Sequence, residues 1–213
     1  TTENLFVLEQ AVELYDYYQE QITGCDNCIR NLLMNFESED KIKNVDKINI
    51  EEKKIKEKKK KIINPEMHAE LLRITGVDLT QIDGLNTTNV LTLISEVGLD
   101  MSKWKTEKHF TSWLGLAPNN KISGGKVLSK KTKKTKNKAG NVFRLAASSL
   151  SRGDSYLSGV YRRFRSRLGA GKANVATARK IAVIFYNTLK YGQEYYDYGC
   201  EYFEKKVAER NYK

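Results

Sequence analysis

Apolar residues recur at helical spacing from the start of the chain. Leu5, Leu8, Val12, Tyr15, Tyr18, Ile22, Cys25, Ile29, Leu32 and Phe36 advance by threes and fours, with one stammer at Tyr15–Tyr18. This a/d seam predicts a long helix over 3–36 that packs on a partner helix as a coiled-coil arm. The plainer alternative is an amphipathic helix lying within one globular domain. Residues 37–63 are mostly Lys, Glu, Asp, Asn and Ile, with Ile42, Val45, Ile48, Ile55 and Ile62 as thin apolar punctuation. They predict the returning helix of an antiparallel hairpin. Glu51 and Glu52 precede and Glu57 interrupts the lysines of Lys53–Lys61, which favours a solvated helix face over a nucleic-acid tract. Asn64-Pro65 stops that helix and divides an arm, 1–63, from a C-terminal domain, 64–213.

Beyond Pro65 the apolar pattern breaks into short helices. Glu66–Ile74 closes at Thr75-Gly76, Asp78 caps a turn carrying Leu79 and Ile82, and Asn86 or Thr87 caps a helix that Gly98 ends. Thr106 is expected to cap a helix with Phe110, Trp113 and Leu114 inward, ending at Gly115. Residues 119–138 lack helical periodicity and allow at most a β-turn or short hairpin around Ile122–Leu128. Ala139–Leu150, Ser155–Leu168 and Ala173–Lys190 predict three more helices, and an aromatic-rich one starts near Gln193. In the second of these, Leu157, Val160, Tyr161, Phe164 and Leu168 face inward. The expected class is all-α: a coiled-coil-like helical hairpin arm followed by a compact helical domain.

Composition narrows the function classes. A chain of 213 residues with 40% hydrophobic and 30% charged residues has enough apolar side chains for a core. It has no apolar run of the ~18 residues a membrane span needs and no N-terminal secretory pattern. Cys25, Cys28 and Cys200 are too few and odd in number for a disulfide framework, which fits a reducing cytoplasm. Cys25-x-x-Cys28 has metal-ligand spacing, but no second pair or nearby His completes a site, so packing or surface cysteine is the simpler reading.

Charge is distributed unevenly. Residues 108–193 hold nineteen Lys and Arg against the single Asp154, a net +18, so the rest of this +11 chain carries −7. Such polarity points to a polyanion, nucleic acid first and an anionic membrane surface second. Within that stretch, Lys121-Ile-Ser123-Gly124-Gly125-Lys126 places a serine before two glycines and between two lysines. It reads either as a flexible turn or as a loop where backbone approaches phosphate and lysines activate a hydroxyl. Lys126, Lys130, Lys131, Lys133, Lys134, Lys136 and Lys138 form an unbalanced cationic run, expected to be an extended arm that orders on nucleic acid. Arg144, Arg162, Arg163, Arg165 and Arg167 offer forked phosphate donors from helices, and Arg179 and Lys180 add to this surface. Tyr186, Tyr191, Tyr195, Tyr196, Tyr198 and Tyr202 either stack bases or pack in the core. Leu79 to Asn86, followed by a helix, has helix–hairpin–helix form. Its turn either donates N–H groups to phosphate or packs structurally, and Asp83 there would repel an anion.

Several long motifs occur together. Ile74-Thr-Gly-Val-Asp-Leu-Thr-Gln-Ile-Asp-Gly84, Ser95-Glu-Val-Gly-Leu-Asp-Met-Ser-Lys-Trp104, His109 through Lys126, Arg144-Leu-Ala-Ala147, Tyr161-Arg-Arg-Phe164, Leu168-Gly169 and Ala176-Thr-Ala-Arg-Lys180 resemble, in order and spacing, the C-terminal domain of insertion-sequence 110/1111 family transposases. The preceding heptads are similar to that family's helical linker. The resemblance implies a DNA recombinase in which Ser123 attacks a DNA phosphate while Gly124 and Gly125 let the backbone approach. It also implies DNA and structured non-coding RNA as partners, a homo-oligomer formed through the arm, and a cytoplasmic, nucleoid-associated location. Full-length members carry an N-terminal ribonuclease-H-like domain whose Asp-Glu-Asp-Asp set binds divalent metal. Nothing upstream of Leu5 supplies that domain, and Asp78, Asp83, Glu96 and Asp100 do not match its carboxylates. No cofactor is therefore expected on this chain, which is expected to be a fragment or truncated product without strand exchange of its own. The alternative is a non-catalytic nucleic-acid-binding and oligomerisation module.

Overall fold

The computed structural model describes residues 2–35, 64–129, 131–133 and 137–211. Among these, eight α-helices and one two-stranded sheet give the expected all-α class. The proposed returning helix over 37–63 lies outside the described residues, as do Lys130, Lys134 and Lys136.

Helix α1 spans Thr2–Met34, about 50 Å at 1.5 Å per residue. Leu5, Leu8, Val12, Tyr15, Tyr18 and Ile22 of its seam are exposed, and packing begins only near its C-terminal end. There the contact row differs from the predicted one: Leu33 is buried and Leu32 exposed. Ile29 and Leu33 lie one turn apart and form the apolar row that meets α2, Pro65–Thr75. The Arg73 guanidinium donates to the Leu33 carbonyl at 2.8 Å, and Arg30 pairs with Glu66.

Capping residues set the boundaries of the elements that follow α2. Asp78 accepts from the Thr80 N–H, and its carboxylate starts a single 3-10 turn at Leu79–Gln81. Asn86 accepts from the Asn89 N–H to open α3, Thr87–Val97. Asp100 caps a further short turn at Met101–Lys103, ahead of α4, Glu107–Trp113. Helices α5, Lys138–Ser149, and α6, Tyr156–Leu168, are capped by Asn137 and Ser155. Helix α7 covers Ala170–Tyr191 and starts three residues earlier than its apolar pattern predicted.

These helices enclose a core centred on Phe110, fully buried against Trp104, Phe143, Phe185 and Tyr186. Two residues predicted to face inward do not. Trp113 leans on Trp104 at the domain edge and stays 41% exposed, while Leu168 at the end of α6 is 44% exposed. The last helix, α8, spans Gly199–Asn211 and does not begin near Gln193. Asp197 prevents the earlier start. Its Oδ1 accepts from the N–H groups of Tyr156 and Gly199, at 2.7 and 2.9 Å, and so holds residues 193–198 against α6.

Candidate nucleic-acid interface

The Ser-Gly-Gly segment is a β-hairpin. Strand β1, Lys121–Ser123, pairs antiparallel with β2, Lys126–Ser129, and Ser123 faces Lys126 across the turn. Gly124 and Gly125 form the two-residue loop with φ of 52° and 74°. Positive φ at both positions is what the right-handed twist of a hairpin demands of a type I′ loop, and glycine supplies it without strain. A Cβ on either glycine would meet nothing within 4 Å, so the turn is open to an approaching ligand. The ladder continues beyond the strands, where the Asn119 N–H donates to the Lys131 carbonyl at 3.0 Å and Pro118 bridges Thr132. The short hairpin that the sequence allowed around Ile122–Leu128 is thus present, with its ladder extended to Pro118 and Thr132.

Ser123, Lys121 and Lys126 are exposed on this hairpin. With a two-residue side-chain period, Lys121 and Ser123 share one face, and Lys126 joins them as the cross-strand neighbour of Ser123. Among the described residues the Ser123 hydroxyl makes no hydrogen bond, so neither base nor carboxylate is poised on it. Nor do three His, Cys, Asp or Glu side chains gather among the described residues to hold a metal ion.

The remaining predicted contacts divide by what their side chains already hold. Lys131 and Lys133 are exposed beside the hairpin. Lys138 is paired with Glu96 at 3.2 Å and is itself 76% exposed. Arg144 is committed to the fold: its guanidinium donates to the Gly115 carbonyl at 3.2 Å and to Asn141 at 2.9 Å, joining α5 to the end of α4. Arg162 is similarly engaged, donating to the Gly153 carbonyl at 2.7 Å and to Cys200 Sγ at 2.8 Å. Burial pushes the Cys200 thiol up, against the opposing pull of Arg162. Arg163 lines an open cleft of about 330 Å³ between α6 and α8, with Phe203 and Glu204. Arg165 points into solvent. Sequence reasoning named Arg167 and Lys180 as part of this basic surface and passed over Lys172. All three are exposed on α6 and α7 without an ion pair among the described residues, and the absence of acids nearby was the available signal.

The turn of the helix–hairpin–helix-like segment is packed away. Gly84, at φ +85°, lies so close to α5 that a Cβ would sit 2.6 Å from the Ala146 carbonyl oxygen. Asp83 is buried and accepts from the Tyr195 hydroxyl at 2.9 Å. Burial first, and then the Asp83 charge, holds that hydroxyl protonated far beyond its ordinary range. Tyr186 is also a core residue, donating to the Trp104 carbonyl at 2.8 Å. Tyr191, Tyr196, Tyr198 and Tyr202 remain exposed. No helix among the described residues is long and apolar enough to cross a membrane.

Residues 78–162 match the transposase IS116/IS110/IS902 family, a span that runs from the Asp78 cap through the Ser123 hairpin into α6. No curated protein and no solved structure matches the chain.

Proposed function

From the match of residues 78–162 to the transposase IS116/IS110/IS902 family, we propose a DNA recombinase subunit that brings a serine nucleophile to a phosphodiester. The observation that carries this reading is the open two-glycine turn with Ser123 beside it and Lys121 and Lys126 on the same face. A phosphodiester approaching the turn meets no Cβ, and the two ammonium groups offset the charge of its non-bridging oxygens. Ser123 Oγ then attacks phosphorus. The Oγ–P bond forms, one P–O bond to deoxyribose breaks, and the hydroxyl proton ends on the departing oxygen. The reverse step, with a different strand's hydroxyl as nucleophile, returns Ser123 and joins that strand. Bond order at phosphorus is conserved, so strand exchange needs no external energy source. Positioning and charge supply the acceleration in such transfers, which suits a site built from backbone and lysines.

Lys131, Lys133, Arg165 and the basic faces of α6 and α7 hold the duplex alongside. Structured RNA is a further polyanion for the same surface. The exposed seam of α1 supports association with a second copy, giving a homo-oligomer. A second reading, a non-catalytic nucleic-acid-binding and oligomerisation module, is favoured by one observation: no base is hydrogen-bonded to the Ser123 hydroxyl among the described residues.

The two readings part on Ser123→Ala, tested on duplexes carrying the ends of the mobile element. The recombinase reading predicts unchanged gel shift and complete loss of the denaturation-resistant protein–DNA adduct. An adduct that survives the substitution excludes Ser123. Absence of any adduct with the unsubstituted protein, together with salt-dependent binding, supports the second reading.

A further inference from the structure

The hairpin has a second face that phosphate chemistry does not use. Ile122 and Val127 are cross-strand partners, and this pair alternates with the Ser123–Lys126 and Lys121–Ser129 pairs on the other face. A register shift between Lys121 and Ile122 leaves Leu128 as an extra residue, a β-bulge in β2. The three aliphatic side chains stay in solvent, with Ile122 63%, Val127 46% and Leu128 70% exposed. They project from a narrow two-stranded ribbon whose strands pack chiefly on each other. Leaving three aliphatic side chains out of the core is unfavourable in the free chain, so an occupant for this face is expected.

We propose that Ile122, Val127 and Leu128 form a wedge that enters duplex DNA and partly unstacks a base step beside the phosphate facing Ser123. This inference rests on the DNA-recombinase reading and adds how the duplex is deformed. Charge selects the occupant. Lys121 and Lys126 stand on the opposite face of the same narrow ribbon, and Lys131 and Lys133 are exposed on its extension, within a stretch of net +18. A second copy of the chain would bring the same positive surface to the patch, whereas a duplex brings phosphates to the lysines and stacked apolar base faces to the aliphatic groups. Insertion of Ile or Leu between base steps, with cations on the flanking phosphates, is an established way for proteins to kink a duplex. Kinking at the scissile step would also turn its phosphodiester outward, toward the face that carries Ser123.

The test uses the full chain and two 30-base-pair duplexes, identical except for a central mismatch in one. A wedge binds the mismatched duplex more tightly because the unstacking cost is already met there. The expected preference is about tenfold. The double variant Ile122→Ser with Leu128→Ser should lose that preference while keeping the salt dependence of binding to the perfect duplex. Circular dichroism checks that these exposed substitutions leave the fold intact, and the single Leu128→Ser variant repeats the measurement should the double variant fail to fold. Equal affinity for both duplexes with the unsubstituted chain overturns the wedge alone. A preference that survives the substitutions does the same, as does an effect confined to self-association in sedimentation. Absence of salt-dependent binding to either duplex overturns the DNA reading beneath it.

Discussion

Gly84 and Gly125 both have positive φ, at +85° and +74°, but only Gly84 is enclosed. Replacing each with alanine therefore separates backbone strain from close packing. The strain of a left-handed non-glycine residue is about 1–2 kcal/mol at either site, partly offset by about 0.4–1 kcal/mol from the stiffer unfolded chain. At Gly125 nothing lies within 4 Å of the added Cβ, so Gly125→Ala should cost at most about 1.5 kcal/mol. At Gly84 the Cβ would sit 2.6 Å from the Ala146 carbonyl oxygen, on the backbone of a buried helix that cannot yield as a flexible side chain would. Overpacking of this kind adds about 1–3 kcal/mol, a large part of the ~5–15 kcal/mol that stabilises a typical domain. Urea unfolding followed by circular dichroism should place the Gly84→Ala midpoint about 1 M below that of Gly125→Ala, given slopes of about 1–3 kcal/mol per molar. Below the transition, Gly84→Ala should bind duplex DNA within twofold of the unsubstituted chain, since its turn packs on α5. Equal midpoints for the two variants would refute the packing argument. A tenfold loss of DNA affinity in folded Gly84→Ala would refute the structural role of the turn.

Further outcomes follow from named side chains. Tyr195→Phe removes the 2.9 Å bond to buried Asp83 and should cost about 1.5–3 kcal/mol in denaturant unfolding. Because Tyr195 keeps its proton in the folded state beyond the pH at which the unfolded chain releases it, its contribution is complete below about pH 10 and declines above that; Tyr195→Phe should lose this alkaline dependence. Arg162→Ala should lower stability by about 1–2 kcal/mol, through its bonds to Gly153 and Cys200. Arg165→Ala should leave the melting temperature unchanged and weaken DNA binding alone. Replacing Lys126, Lys131 and Lys133 together with glutamine should make the log–log salt dependence of binding shallower, by about 0.9 for each phosphate that the chain no longer neutralises.

The fold was legible wherever a side chain acts on its own backbone. Asp78 and Asn86 cap the elements they precede, a helix opens after Ser155, and a glycine turn follows from Gly124-Gly125, whereas Thr106 precedes α4 without a side-chain bond to its backbone. Boundaries set by distant partners were not legible. The start of α8 depends on Asp197 bonding to Tyr156, forty-one residues away, and periodicity carries no trace of that bond. Leu168 and Trp113 were misplaced for a related reason: apolar spacing marks a helix face but not where its neighbour ends. The basic stretch located the candidate site, whereas charge alone could not distinguish Arg144 and Arg162, bound into the fold, from Arg165, free in solvent. Asp83 seemed an obstacle to phosphate until Tyr195, 112 residues later, supplied its partner.

A recombinase role for this hairpin depends on a bond between Ser123 and DNA. A duplex with an element end, nicked so that cleavage cannot reverse, should trap the covalent intermediate on the unsubstituted protein. Digestion to peptides and nucleotides, followed by mass spectrometry, then places the phosphoryl group on a single residue. The predicted result is a nucleotide phosphoester on Ser123. A phosphoester on Ser129, on an exposed tyrosine such as Tyr202, or on any residue outside the hairpin would contradict it.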